Sequence, residues 1–124
     1  MGWWRMSTTE SWTPVTIEAR LRENVNENAR LIGEAIDRHR AFLQADAAYD
    51  RAYARAYMEW VGSVKERECH AEVATEEARG ARDEADVLYR HVERRLRAKH
   101  DELEALRSVG VSVRQAYSTG GGDG

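Results

Sequence analysis

Three stretches of this 124-residue chain carry side chains of the kind that do chemistry, and each is incomplete. His70-Ala71-Glu72 has the His-x-Glu step in which a histidine holds zinc and the glutamate moves protons. That chemistry needs a downstream Pro-Cys-x-x-Cys, and the only cysteine, Cys69, precedes the histidine. Asp83-Glu84-Ala85-Asp86 is an acidic box of the sort that serves nucleotide hydrolysis, yet no phosphate-binding glycine loop accompanies it. His39, His91 and His100 are not spaced to put two ligands on one helical face, and Glu34 with Asp37 form an i, i+3 pair that faces water on a helix. The expectation is therefore a non-enzyme without metal or cofactor, in which Cys69 is a packing residue rather than a nucleophile.

The basic run Arg90, Arg94, Arg95, Arg97 and Lys99 is the strongest binding candidate. Arg90, Arg94 and Arg97 fall at i, i+4 and i+7 on one helical face, and Glu93 is the only acid between 90 and 99. Such a stripe can contact phosphates with salt-sensitive affinity, which makes DNA a candidate partner. It can equally pair with Glu18, Glu23 and Glu27 if the chain folds back.

Composition favours an elongated helical protein: 42% hydrophobic, 33% charged, one proline. Nineteen basic and 22 acidic residues are interspersed, giving a net charge of −3 that demands neither a polyanion nor an anionic membrane. A single cysteine excludes an intrachain disulfide framework and favours a reducing cytoplasm, and no apolar run approaches the ~18 residues of a membrane span.

These side chains must be positioned by two long helices joined at Trp60-Val61-Gly62-Ser63-Val64-Lys65-Glu66. Gly62 suits a left-handed helix end, and Ser63 with Glu66 forms a capping box for the next helix. Thr13-Pro14 is a start signal. The first arm, 14–61, carries a seam of Ile17, Leu21, Leu31, Ala35, Phe42, Tyr49, Tyr53, Ala56 and Trp60. Asn24 and Asn28 share it, the step through His39 adds a stutter, and Gly33 marks a bend or break near 33–39. The second arm, 64–107, carries Ala74, Ala78, Ala81, Ala85, Leu88, Val92, Leu96, Leu103 and Leu106.

Folding at the hinge sets Tyr49, Tyr53, Tyr57 and Trp60 against the alanine-rich stretch, rings over methyl groups. The expected fold is all-α: a long antiparallel, coiled-coil-like hairpin. Ile36, Leu43, Val73, Val87 and Tyr89 supply a second apolar stripe, which a homodimer would bury as a four-helix bundle. Residues 1–12, with Trp3, Trp4 and Trp12, read as a flexible tryptophan-rich leader that either docks on the protein's own helices or waits for a partner. Residues 110–124 read as a short turn and a flexible glycine-rich tail.

Trp60-Val61-Gly62 resembles the Trp-x-Gly turn of the small secreted helical hairpins exported by type VII systems, a resemblance that implies an export or pairing surface at Trp60 and Gly62. A broader stretch covers Tyr53-Ala54-Arg55-Ala56-Tyr57, Gly62-Ser63-Val64-Lys65-Glu66-Arg67, Ala78 to Arg82 and Leu103-Glu104-Ala105-Leu106-Arg107-Ser108-Val109-Gly110-Val111-Ser112. It is similar to a family of small helical proteins encoded by tailed phages and prophages of Gram-positive bacteria. That resemblance implies an accessory, non-enzymatic adaptor in DNA recombination or replication, binding protein, DNA or both. An inhibitor of a host defence complex is an alternative of the same class.

Overall fold

The computed structural model describes residues 12–122, and among them every regular element is α-helical. The elements are α1 (Pro14–Glu59), α2 (Val64–Ala74) and α3 (Glu76–Gly122). Trp3 and Trp4, the core of the expected leader, lie outside the described residues, and Trp12 is half-buried just ahead of α1.

α1 starts where Thr13-Pro14 predicts. Thr16 N donates to Thr13 Oγ1 at 3.2 Å and Thr13 N donates to Thr16 Oγ1 at 2.8 Å, so two otherwise orphaned donors are satisfied reciprocally. The helix then runs unbroken past Gly33 and His39. A single glycine costs a helix only about 1 kcal/mol relative to alanine, too little to interrupt 46 residues held by packing.

The described residues fall into two compact units, one built up to Arg30 and from Leu96 onward, the other from residues 31–95. In the second unit the chain turns at residues 60–63, outside any helix, so the first arm ends at Glu59 rather than at 61. Gly62 departs from expectation, since it has no positive φ, nor has any other of the described residues. Its lack of a side chain serves another purpose: a Cβ there would meet the Glu66 carboxylate, with Glu66 Cδ 3.2 Å and Cβ 3.3 Å away. Glu66 therefore folds back over Gly62 while its own N–H donates to Ser63 Oγ at 3.2 Å, capping α2.

The second arm breaks at Thr75, which lacks the usual proline or glycine cause. Thr75 is 2% exposed and donates both its hydroxyl, at 2.6 Å, and its N–H, at 3.1 Å, to the Ala71 carbonyl. Back-bonding of this kind bends helices. The Glu72 carbonyl is taken by the Arg79 guanidinium at 2.6 Å, so the break leaves it paired.

α3 also runs past the expected end at Arg107. Gly110 is helical and buried, and a Cβ at that position would come within 3.1 Å of Ile17 Cγ2. The glycine is thus a seat for an isoleucine of α1 in the first unit, not a stop, and the helix continues through Gly122 in place of the expected tail.

Burial assigns the seams. In the unit of residues 31–95 they are Leu31, Ala35, Arg38, Phe42, Ala45, Tyr49, Ala52 and Ala56 on α1, and Ala71, Thr75, Ala78, Arg82, Ala85, Tyr89 and Val92 on the returning arm. Both step by fours and threes, the heptad pattern. Arg38, not His39, is the half-buried member between Ala35 and Phe42, so the expected stutter is absent. Ala74 and Ala81 are exposed, because Thr75 and Arg82 take those turns of the seam.

Candidate functional site

The predicted basic stripe is largely spent on acids. Arg90 Nε lies 3.1 Å from Asp86, and Arg95 lies 3.5 Å from Glu34. Hydrogen bonding to Asp86 and its charge hold the Arg90 guanidinium above its ordinary pKa. Lys99 is the most committed. Its ammonium donates to Asn24 Oδ1 at 3.0 Å, Glu27 Oε2 at 3.1 Å and Glu102 Oε2 at 3.1 Å, using its three N–H groups. Only Arg94 and Arg97 remain exposed with no ion pair among the described residues. Of the three acids expected to face the run, Glu27 does so; Glu34 meets Arg95 instead of Glu18 or Glu23.

The Lys99 layer is a charge-and-amide cluster inside an apolar seam. Asn24 is 3% exposed and its Nδ2 donates to the Arg20 carbonyl at 2.9 Å, so both ends of its amide are satisfied. Burial depresses the Lys99 pKa, but the hydrogen bonds it donates to Glu102 and Glu27, with their charges, outweigh it and the net direction is upward. The sequence signal for this cluster was present in Asn24 on the seam; its partner was assigned to phosphate instead.

The aromatic ladder also differs from expectation. The Arg82 guanidinium carbon sits 4.5 Å from the Tyr49 ring centroid, and that of Arg67 lies 5.8 Å from Tyr57. His39 stacks on Tyr89 at 4.8 Å and Trp60 on His70 at 4.5 Å. Rings thus meet flat cations and imidazoles as much as methyl groups, because a planar guanidinium can lie over a ring face and keep its edge in water. Tyr53 and Tyr89 are half-buried in this ladder. Burial raises both hydroxyl pKa values, with Glu68 and Glu72 adding at Tyr53 and Glu93 at Tyr89.

Of the expected seam residues, Ile17, Leu31, Ala56, Val92, Leu103 and Leu106 are buried and Leu21, Ala35, Phe42, Tyr49, Tyr53, Ala78, Ala85 and Leu96 are half-buried, whereas Trp60 and Leu88 are exposed. Tyr89, assigned to a second stripe, belongs to the seam itself. The second stripe survives on α1 at Ile36 and Leu43, 54 and 52% exposed, and Ile32, 46% exposed and outside the expected stripe, extends it at a spacing of four. Val73 and Val87 are exposed on the returning arm, on either side of the Thr75 break.

Among the described residues no cluster of histidine, cysteine and carboxylate side chains could hold a metal ion, and no helix is long and apolar enough to cross a membrane. Cys69 is exposed, contrary to a packing role. No known protein family, curated protein or solved structure matches this chain.

Proposed function

We propose that this protein is a non-enzymatic helical adaptor that acts by helix pairing, assembling as a dimeric four-helix bundle through one face of α1. The observation that carries the proposal is the stripe of Ile32, Ile36 and Leu43, half-exposed on one helical face although the seam beside it is already filled. A soluble helix gains nothing from such a stripe unless another surface covers it. The resemblance to small helical phage proteins is the ground for an accessory role in recombination or replication. Engagement of Arg90, Arg95 and Lys99 with acids favours protein over DNA as the partner in that role.

Light scattering across a hundredfold range of concentration tests it. The parent chain is expected at twice its own mass at the upper end, and the variant Ile36→Glu with Leu43→Glu at its single mass with unchanged helicity. A parent that stays at one chain mass throughout defeats the dimer. Salt-dependent retention of the parent on DNA, lost in Arg94→Glu with Arg97→Glu, would transfer the adaptor's function to nucleic acid.

A further inference from the structure

In the unit of residues up to 30 and from 96, the seam does not stop where α1 stops. The two helices run antiparallel there: a Cβ on Gly110 would meet Ile17, and Lys99 bonds Asn24, so rising numbers on one helix meet falling numbers on the other. Ile17 lies three residues inside the start of α1, about 4.5 Å, whereas α3 continues for twelve residues beyond Gly110, about 18 Å. Roughly 13 Å of α3 therefore extends past the first turn of α1.

The seam spacing carries on into that extension. Leu103, Leu106 and Gly110 are buried, Val113 is half-buried, and the next position in the same steps of three and four is Tyr117, 55% exposed. Exposure rises along one continuous face as α1 falls away, so the exposed end prolongs an established interface. α3 also stays helical through Gly120, Gly121 and Gly122, although glycine is the poorest helix former after proline. Its last turn has no propensity to stand on, so it depends on packing.

A segment suited to that packing is tethered at the same end. Residues 1–11 join the described chain at Trp12, which is half-buried ahead of Pro14, so burial begins before the helix does. They carry Met1, Trp3, Trp4 and Met6, four large apolar side chains in eleven residues, with one basic and one acidic side chain, Arg5 and Glu10. The stretch from Trp3 to Ser11 spans up to about 30 Å when extended, enough to run out along the uncovered part of α3 and double back. A segment joined by so short a link meets its site at an effective concentration on the order of millimolar, which a free partner must exceed. From this we infer that residues 1–11 fold back onto the exposed end of α3, with Trp3 and Trp4 laid over Val113 and Tyr117, completing the seam where α1 has ended. This surface lies outside the 31–95 unit that carries the Ile36 stripe and does not depend on dimer formation.

The test places a photo-reactive phenylalanine analogue at Tyr117 of the full chain, with a second version labelled at Val87, an exposed valine of the other unit, as control. Irradiated at low micromolar concentration, the Tyr117 label is expected to join residues 1–11 at the mass of one chain, by peptide mass spectrometry, and the Val87 label is not. Hydrogen exchange on the unlabelled full chain gives a second reading. Trp3→Ala with Trp4→Ala is expected to speed exchange of the amides of 114–122 tenfold or more and to leave those of 31–95 unchanged, which also shows that the variant is folded. The inference is overturned by a Tyr117 adduct only at twice the chain mass, which would give the surface to a second copy, or by no adduct to residues 1–11. It is overturned too by exchange at 114–122 that the tryptophan variant leaves as slow as in the parent. Irradiation in the producing cells that joins Tyr117 to another protein, with no adduct to residues 1–11, overturns it in favour of that protein.

Discussion

The two units solve the same packing problem with different chemistry. Between residues 31 and 95 the helices approach over small side chains, Ala71 with no exposed surface and Ala56 nearly so, and the gaps beside them are closed by tyrosines capped with arginine and histidine. In the unit of residues up to 30 and from 96, the seam is Ile17, Leu103 and Leu106 around a layer of Asn24 and Lys99. One unit closes its seam with small side chains, Ala56 and Ala71 buried; the other carries a charge there that must stay paired. A small-residue seam is intolerant of added volume, whereas a leucine seam is intolerant of lost volume.

Substitutions that exchange those tolerances give the widest separation. Leu106→Ala is expected to cost about 2–5 kcal/mol by opening a cavity. Ala71→Leu is expected to cost about 1–3 kcal/mol by overpacking. Denaturant titration with hydrogen exchange on each unit's amides reads both; a comparison in which Ala71→Leu is neutral would mean that the alanine seam is loose and the contrast between the units false.

Removing one partner of the charged layer sharpens the contrast next. Lys99→Met leaves Asn24 buried with an unpaired carbonyl oxygen and is expected to destabilise by about 1–3 kcal/mol, while Lys99→Leu with Asn24→Leu is expected to recover most of the loss. Equal destabilisation by the single and the double variant would show that the layer contributes through something other than pairing.

Alkaline titration tests both units at once, with one sign. Lys99, Tyr53 and Tyr89 all hold their protons more tightly in the folded chain than their ordinary values of 10.5, 10.0 and 10.0. A raised folded-state pKa contributes stability that is complete below the unfolded value and is lost as pH rises through the folded one. Stability should therefore fall above about pH 10. Ultraviolet titration should find two of the tyrosines ionising late, and Lys99→Met should remove part of the pH slope but not those two late tyrosines.

The smallest expected effect is at the turn. Ser63→Ala removes the acceptor for the Glu66 N–H and is expected to cost about 0.5–2 kcal/mol, with fraying confined to the first turn of α2 by hydrogen exchange.

Much of this architecture was legible before folding was considered. The apolar spacing of Ile17, Leu21 and Leu31, the Thr13-Pro14 start and the Ser63 cap are local signals: each depends on residues within one or two turns of helix, so the sequence states them directly. The all-helical class and the turn near Gly62 follow from them. The candidate site was less legible. Arg90, Arg94 and Arg97 look alike on a helical wheel, yet Arg90 is paired and the other two have no ion pair among the described residues.

What only the tertiary structure decided depends on residues far apart in the chain. Gly110 reads as a helix stop until Ile17 is found against it, because propensity counts about 1 kcal/mol and packing counts more. Lys99 reads as a phosphate ligand until Asn24 and Glu27, more than seventy residues away, take its protons' hydrogen bonds. Thr75 reads as an ordinary helical residue until its burial leaves the Ala71 carbonyl as the acceptor for its hydroxyl. Sequence periodicity fixes which face of a helix is apolar; which of two polar or two small residues on that face is covered is set by the neighbour that arrives across the seam, and that neighbour is chosen by the whole fold.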